Sequence, residues 1–220
     1  DRSFDRCSHI EGGLGTDMQK FTKLTGIAAP MDELNVNTDR ILPARFIKKP
    51  REPGYQDFCF HDARLDEDGK ERPEFVLNQA KYRDAQFIIG NTNFACGSSR
   101  EGAVYTLQDF GLKAVIAPSF GDIFASNAVK NGFVPIQLPE EVCAALRHSL
   151  GEANDPSITV DLENQTVTGP GGEEHSFEIE PFQKHCILNG LGEIALTLQE
   201  TDKIDEFDEA YREEFPWLYG

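Results

Sequence analysis

The sequence predicts an α/β domain with a parallel strand–helix–strand core and an additional β-hairpin. The first indication is a buried strand at 86–90, a helix at 99–110 and a second buried strand at 113–118, joined by short links. Short links between a strand, a helix and a second strand predict parallel pairing through a right-handed crossover. The second indication is the alternation of apolar and polar residues at 157–162 and 166–169 around a polar turn, which is typical of a hairpin.

The chain divides into a polar beginning and one globular domain. Residues 1–20 mix charges and glycines without an apolar period, so we expect a flexible N-terminal extension or a cloning remnant there. A single domain is expected for 21–220, with a short strand at 26–30 followed by a polar turn at 35–39. Residues 48–79 combine prolines, charges and scattered aromatic side chains, and this long loop is either a substrate-side flap or a cover for the core.

Two glycines end predicted helices in the middle of the chain. Gly111 follows the helix at 99–110, and Gly132 follows a second helix that begins near Asp122, each in the position where a helix favours a left-handed residue. The remaining predicted elements are a strand at 133–136, a helix at 140–150, a β segment at 176–179, a helical turn at 182–189 and a C-terminal acidic helix at 204–211.

The charge and the cysteines exclude several classes of function. The formal net charge is −17, which repels nucleic-acid phosphates and anionic lipid surfaces. A secretory leader and an apolar stretch of membrane-spanning length are not predicted, so a cytoplasmic protein is the simplest expectation. The five cysteines are widely spaced and contain no Cys-x-x-Cys pair, so neither a disulfide framework nor a metal or iron–sulfur site is predicted in this chain.

The candidate site is the run Gly97-Ser98-Ser99-Arg100-Glu101, between the strand at 86–90 and the helix that follows. A serine here can serve as a helix cap and nothing more. Two adjacent serines after a glycine, followed by an arginine at a helix N-terminus, also fit a carboxylate-binding nest in which a serine hydroxyl acts as a base. The nucleophile elbow, the P-loop and the dinucleotide fingerprint each require glycines or a lysine that this turn lacks.

This turn and several other motifs together resemble the swivel domain of the aconitase superfamily, specifically the small subunits of 3-isopropylmalate dehydratases. The resemblance extends in order from about Phe21 to Phe207. Its further motifs are Asn35-Val36-Asn37-Thr38-Asp39, Glu74-Phe75-Val76-Leu77-Asn78, Ala117-Pro118-Ser119-Phe120-Gly121-Asp122-Ile123-Phe124, Asn189-Gly190-Leu191 and Leu196-Thr197-Leu198-Gln199.

The resemblance implies a swivelling β/β/α fold and a hydro-lyase that is active with its large subunit. That partner is expected to carry a [4Fe–4S] cluster, so this chain is expected to bind no metal or cofactor. By motif position Ser98 would be the catalytic base, and Ser99 and Arg100 would hold a carboxylate of a small dicarboxylate substrate. Asp39 and Thr38 would lie beside them. The implied reaction is the isomerisation of 2- and 3-isopropylmalate through isopropylmaleate, a step of leucine biosynthesis.

The chain departs from the family pattern at positions that bear on the substrate. Gly102 replaces a histidine usual in the family. The loop that is expected to contact the substrate's side chain lacks a tryptophan that is usual in the family. Its candidate specificity residues are Tyr55, Phe58, Phe60 and Arg64. The aromatic residues suit an isopropyl group, whereas Arg64 suits a carboxylate. Related 2-hydroxy diacids, such as methylmalate with citraconate or homocitrate with homoaconitate, therefore remain alternatives.

Two further classes of function are compared with the catalytic role. A binding or regulatory module that kept the fold and lost its activity is favoured by Gly102, but the presence of both Ser98 and Arg100 argues against it. A nucleic-acid-binding relative is disfavoured by the net charge of −17 and the lack of a basic stripe.

Overall fold

The computed structural model describes residues 18–97 and 100–218, and its centre is one mixed sheet of seven strands. The strands, in chain order, are β1 Lys23–Pro30, β2 Phe87–Ile89, β3 Ala114–Ala117, β4 Val134–Gln137, β5 Ser157–Asp161, β6 Thr166–Thr168 and β7 Glu174–Ser176. Their order across the sheet is β4-β3-β2-β1-β5-β6-β7. Strands β1 to β4 pair in parallel, and β5 to β7 extend the sheet antiparallel from β1.

The described part of the chain contains eight α-helices. They are α1 Thr38–Ile41, α2 His61–Arg64, α3 Glu101–Asp109, α4 Asp122–Lys130, α5 Glu140–Glu152, α6 Pro181–Asn189, α7 Glu193–Leu198 and α8 Thr201–Glu214. Short 3₁₀ turns lie at Ala44–Phe46, Tyr55–Phe58, Val76–Asn78 and Pro216–Leu218. Within the described ranges, no helix has the length and apolar character needed to cross a membrane.

The core lies on both faces of the parallel half of the sheet, because successive side chains of a strand point to opposite faces. Ile88 packs into the cluster covered by α3, α4 and the loop before β2. Phe87 and Ile89, its neighbours in the same strand, pack into the cluster covered by α5 and the antiparallel strands. A strand buried on both faces reads as a continuous apolar run, which is how β2 and β3 appear in the sequence.

The predicted parallel core and hairpin are confirmed, with corrections at several boundaries. Helix α3 begins at Glu101, after an Arg100 with extended backbone, and the third β segment ends at Ser176 instead of beginning there. Phe177, just beyond that strand, is buried in the core cluster beneath α5, and its backbone N–H donates to the Gln165 carbonyl at 2.9 Å while its carbonyl accepts from the Gln165 amide at 3.0 Å. Helix α1 occupies part of the predicted polar turn, and α7 was not predicted.

The two ends of the chain differ in how they meet this fold. Residues 1–17 of the predicted extension lie outside the described residues, but 18–20 contact the body of the domain. Gln19 accepts a hydrogen bond from the Lys113 ammonium at 2.8 Å, and Met18 packs against the core cluster beneath α5. The acidic C-terminal helix predicted at 204–211 is longer, since α8 covers Thr201–Glu214.

Candidate functional site

Three loops meet at the carboxyl ends of the parallel strands, where α/β sheets bind their ligands. They follow β1, β2 and β3 and are linked by two parallel bridges, one between Asn37 and Cys96 and one between Phe94 and Phe120. The Phe94 N–H donates to the Ser119 carbonyl at 3.0 Å, and the Gly121 N–H donates to the Phe94 carbonyl at 3.0 Å. The candidate turn therefore continues from a loop that is hydrogen-bonded to its neighbours on both sides.

Gly97 gives this turn a conformation that few other residues adopt. Its φ of 102° is in the left-handed region, which favours glycine. Beside it, the Thr38 N–H donates to the Cys96 carbonyl at 2.9 Å, so the β1 and β2 loops are joined directly before the turn. Ser98 and Ser99, the predicted base and one predicted carboxylate ligand, lie outside the described residues.

Arg100 and Asp39 are brought together by the structure, although they are 61 positions apart in the chain. Arg100 precedes α3 with an extended backbone, and its guanidinium Nη1 donates to the Asp39 carboxylate. The Arg100 side chain is 16% exposed and the Asp39 side chain is 51% exposed. A guanidinium has five N–H donors, so Arg100 retains capacity for a second anion at the start of α3.

Helix α1 fixes the position of Asp39. The Asn37 side-chain oxygen accepts from the Arg40 N–H at 2.7 Å, which satisfies a donor of the first turn. Thr38 is buried at 2% exposure, with its hydroxyl facing the Gly97 backbone. Thr38 thus lies beneath the turn, whereas Asp39 lies at its exposed edge.

Asparagines support the loops in conformations that are strained for most residues. Asn35 and Asn93 have φ values of 53° and 62°, and the Asn93 amide donates to the Asn35 side-chain oxygen at 2.8 Å. Asn93 also donates its backbone N–H to the Ser119 hydroxyl at 2.8 Å. Strained residues held by such contacts cluster at functional sites, and these three link the loops after β1, β2 and β3.

Sequence reasoning missed a buried arginine that ties the ends of two strands together. Arg147, from α5, donates Nη1 to the Gly90 carbonyl after β2 at 2.6 Å and Nε to the Asp32 carboxylate after β1 at 2.7 Å. Its side chain is 8% exposed. The available signal was a charged residue between Cys143, Leu146 and Leu150 on the apolar face of a helix.

A second missed contact holds the other side of α3. The Glu101 carboxylate accepts from the Asn131 amide at 2.9 Å, and Asn131 caps the end of α4. The first turn of α3 is therefore anchored to α4 through Glu101, directly after Arg100. A glutamate in the first turn of a helix also interacts favourably with the positive end of the helix dipole.

The four candidate specificity residues lie in and around the core. Phe60 and Tyr55 are 1% and 4% exposed, and Phe58 is half-buried against Phe46 at a ring separation of 4.3 Å. Arg64 is also buried: its Nε donates to the Cys59 carbonyl at 2.8 Å and Nη2 to the Asp57 carbonyl at 3.2 Å. The loop at 48–79 thus forms part of the core cover, and Arg64 is directed at the loop's own backbone.

Tyr55 nevertheless reaches the start of α3. A Cβ atom placed on Gly102 would lie 2.9 Å from the Tyr55 hydroxyl oxygen and 2.8 Å from Leu42 Cδ2. The Thr106 hydroxyl, one turn further along α3, donates to the Tyr55 carbonyl at 3.2 Å. Gly102 therefore allows the loop to approach the first turn of α3 closely, next to Arg100.

The described residues do not fit a metal cluster. Across 18–97 and 100–218 there is no group of three or more His, Cys, Asp or Glu side chains placed to hold a metal ion. Iron–sulfur ligation needs thiolates, and burial raises the pKa of the Cys59 thiol to about 12 and that of Cys143 to about 11. Cys96 is partly exposed near the candidate turn, where its thiol lies 3.5 Å from the Asn35 carbonyl oxygen.

A groove of about 940 Å³ lies apart from Arg100 and Asp39. It is bounded by the segment 18–24, by the Glu101 and Asp109 side of α3 and by the end of α4. Two of the cations that line it are paired with carboxylates, Arg51 with Asp109 at 2.5 Å and Lys130 with Glu193 at 2.7 Å. The loop cluster at the carboxyl ends of the strands is therefore the better candidate for chemistry.

Comparisons with known proteins match nearly the whole chain. A family model described as the aconitase C-terminal domain covers residues 18–141, and a model described as LeuD_N covers 150–181. A third model, which describes the C-terminal domain of small subunits of 3-isopropylmalate dehydratase, covers 193–220. The chain is 49% identical to the 3-isopropylmalate dehydratase small subunit of Paramagnetospirillum magneticum, over 91% of this chain and 100% of that protein. It is 50% identical to the protein of the same name from Granulibacter bethesdensis, over 91% and 96%.

A solved structure supports the fold. The crystal structure of a 3-isopropylmalate dehydratase from Methanocaldococcus jannaschii superposes with a TM-score of 0.60, covering 84% of this chain and 99% of that one. At 23% identity this likeness concerns the fold, and it agrees with the mixed sheet described above.

Proposed function

Because this chain belongs to the family of 3-isopropylmalate dehydratase small subunits, we propose that it works with a large subunit to interconvert 2- and 3-isopropylmalate. The reaction is a dehydration to isopropylmaleate followed by rehydration, and it serves leucine biosynthesis in the cytoplasm. The observation that carries the proposal is the match to named small subunits along nearly their whole length.

In this proposal the turn between β2 and α3 removes the proton. The Ser98 alkoxide accepts a proton from the substrate carbon next to the one that bears the hydroxyl group. The helix N-terminus and Arg100 stabilise the negative charge on the serine oxygen. Ser99 and Arg100 bind a substrate carboxylate, and Asp39 orients the Arg100 guanidinium. Thr38 supports Gly97 from beneath. A [4Fe–4S] cluster on the large subunit would supply the Lewis acid for the departing hydroxyl.

The buried state of Arg64 favours isopropylmalate over a substrate with a third carboxylate. Its guanidinium is bound to two backbone carbonyls and lies 5.0 Å from the centre of the Phe110 ring. An arginine held in this way is not presented to an additional substrate carboxylate such as that of homocitrate. We therefore assign contact with the substrate's isopropyl group to Phe58, the half-buried aromatic residue of this loop, against which the buried Tyr55 packs edge-on at a ring separation of 5.5 Å.

The test is co-expression with the large subunit and an anaerobic assay on isopropylmalate, citraconate and cis-homoaconitate. We expect turnover of isopropylmalate to exceed that of the other two by at least tenfold. A preference for citraconate or homoaconitate would assign the chain to one of the alternative dehydratases. Inactivity on all three substrates would overturn the proposal.

The role of Ser98 is tested by Ser98→Ala in the same complex. We expect turnover to fall by at least a thousandfold while the two subunits still co-purify, because the serine removes a proton and does not hold the complex together. Ser176→Ala is the matched control, since Ser176 is exposed on β7 at the antiparallel end of the sheet. Normal turnover of the Ser98→Ala enzyme would mean that this serine is only a helix cap.

A further inference from the structure

The last described part of the chain, Glu193–Leu218, is a C-terminal arm that contributes nothing to the core. It contains α7, α8 and a final 3₁₀ turn, and none of the residues in these three elements is buried. By contrast α5, of similar length to α8, buries four side chains against the sheet. A helix stable enough to form but without a buried face usually packs against something else.

Large apolar side chains are concentrated on this arm. Phe207 and Tyr211 lie four residues apart on one face of α8, and Phe215 follows directly after the helix ends. Their rings form a continuous row, with centroids 5.6 Å apart between Phe207 and Tyr211 and 4.7 Å apart between Tyr211 and Phe215, and Trp217 extends it. Phe207 is 67% exposed and Trp217 is 73% exposed. The other exposed large apolar side chains of the arm are Ile194, Leu198, Ile204 and Leu218.

The polar faces of α8 are acidic. The helix carries the acidic residues Asp202, Asp205, Glu206, Asp208, Glu209, Glu213 and Glu214. Its two basic residues pair within the arm, Lys203 with Glu200 and Arg212 with Asp208. The apolar row is therefore flanked by negative charge, and the surface that it fits is an apolar groove bordered by lysine and arginine.

We propose that the C-terminal arm docks this chain onto the large subunit of the dehydratase, an inference that rests on the proposed function. The arm has about 25 residues, which matches the contribution of one side to a stable interface of standard size. A second copy of this chain is a poor occupant, because its net charge is −17 and the arm is itself acidic.

The family matches agree with this role for the arm. Residues 18–141 match a model named for the C-terminal domain of aconitase, whereas 193–220 match a model named for small subunits. A sheet domain that is a separate chain needs a surface that holds it to its partner. The arm follows the sheet domain in the chain and provides such a surface.

The experiment measures the dissociation constant between the chain and the purified large subunit, together with turnover when the large subunit is saturating. We expect Phe207→Ser and Trp217→Ser each to weaken binding at least tenfold, because exposed aromatic residues that become buried carry much of an interface's affinity. Turnover at saturation should stay within twofold of the parent. Phe182→Ser is the matched control: Phe182 is 58% exposed on α6 outside the arm, and its substitution should leave the dissociation constant unchanged.

The outcomes that differ from these expectations contradict either the docking role or the proposed function. Unchanged binding in a Phe207→Ser, Trp217→Ser double variant would overturn the docking role. Sedimentation that shows the isolated chain dimerising through these residues, with normal affinity for the large subunit, would assign the arm to a second copy and also overturn it. A parent chain that binds no large subunit would contradict the proposed function itself, whereas Ser98→Ala separates the two by losing turnover and keeping affinity.

Discussion

Arg100 is the described residue that we propose binds the substrate, and its guanidinium is held by the Asp39 carboxylate. The pair leaves the Arg100 side chain 16% exposed, so the arginine is partly withdrawn from water before any substrate binds. An anion that arrives meets a guanidinium already oriented, and less conformational entropy is lost on binding. Nearby, Arg40 and Glu33 form a second pair at 2.9 Å whose side chains are 40% and 41% exposed.

Asp39→Ala is expected to raise the KM for isopropylmalate by about tenfold, since Arg100 loses the group that orients it. Steady-state kinetics of the assembled enzyme would measure this. Glu33→Ala removes a carboxylate from the neighbouring, more exposed pair and should leave KM unchanged. Equal effects of the two substitutions would mean that the site responds to local charge in general and not to the orientation of Arg100.

Gly102 is a residue at which two physical effects oppose each other. Alanine normally stabilises a helix by about 1 kcal/mol relative to glycine. Here its methyl group would meet the Tyr55 hydroxyl at 2.9 Å and Leu42 Cδ2 at 2.8 Å, and both side chains are buried at 4% exposure or less. Because neither can move into solvent freely, steric overlap outweighs helix propensity.

We therefore expect Gly102→Ala to lower the free energy of unfolding by about 1 to 3 kcal/mol, the usual effect of overpacking. In a Tyr55→Phe background the cost should shrink by at least about 0.5 kcal/mol, because the oxygen nearest the added methyl is gone. Denaturant unfolding of the four proteins in this cycle gives both numbers. Additive effects would mean that the methyl is accommodated by movement of Leu42 alone.

The turn between β5 and β6 is held by one carboxylate, that of Asp161. The backbone N–H of Asn164 donates to Asp161 at 2.9 Å, the Asn164 amide donates at 2.9 Å, and Lys23 on the neighbouring strand pairs with it at 3.1 Å. These contacts, the backbone hydrogen bond first, lower the pKa of Asp161 to about 2. The hairpin that begins the antiparallel half of the sheet thus depends on an ionised Asp161.

The sign of the pH effect follows from that lowered pKa. The unfolded chain takes up a proton on Asp161 near pH 4 and the folded chain near pH 2, so the stabilisation is complete above about pH 4 and is lost as the pH falls to 2. Asp161→Asn is expected to cost about 1 to 2 kcal/mol of unfolding free energy at pH 7. The difference from the parent should narrow as the pH is lowered, which unfolding curves at a series of pH values would reveal.

The elements were predictable where a local signal exists. Gly111 and Gly132, with φ values of 111° and 73°, end α3 and α4 where the sequence placed the ends of these helices. The contacts that hold the site together were not predictable, because they join residues that are distant in the chain. Arg147 and Asp32 are 115 positions apart, and Glu101 and Asn131 are 30 apart. The resemblance to known small subunits placed Asp39 near Arg100, but periodicity and capping rules contain no information about that pair.

The distribution of charge along the chain bears on how the enzyme assembles. The net charge of −17 is spread over the chain, but the arm presents its share next to exposed aromatic residues. If a basic surface of the large subunit receives the arm, opposite charges accelerate the encounter and salt slows it. A charge on the arm then changes the association rate more than the same charge at the far edge of the sheet does.

The association rate constant with the large subunit is accordingly expected to fall at least tenfold between about 20 mM and 500 mM NaCl, a range over which screening shortens the reach of charge from roughly 20 Å to a few ångströms. Stopped-flow mixing would measure it. Glu206→Gln with Glu209→Gln, both exposed on α8, should lower the rate at low salt more than Glu174→Gln with Glu178→Gln, which are exposed in and just after β7 and remove the same charge. Equal losses would show that total charge steers assembly, and a rate that rises with salt would show that the receiving surface is acidic, because screening would then be relieving repulsion.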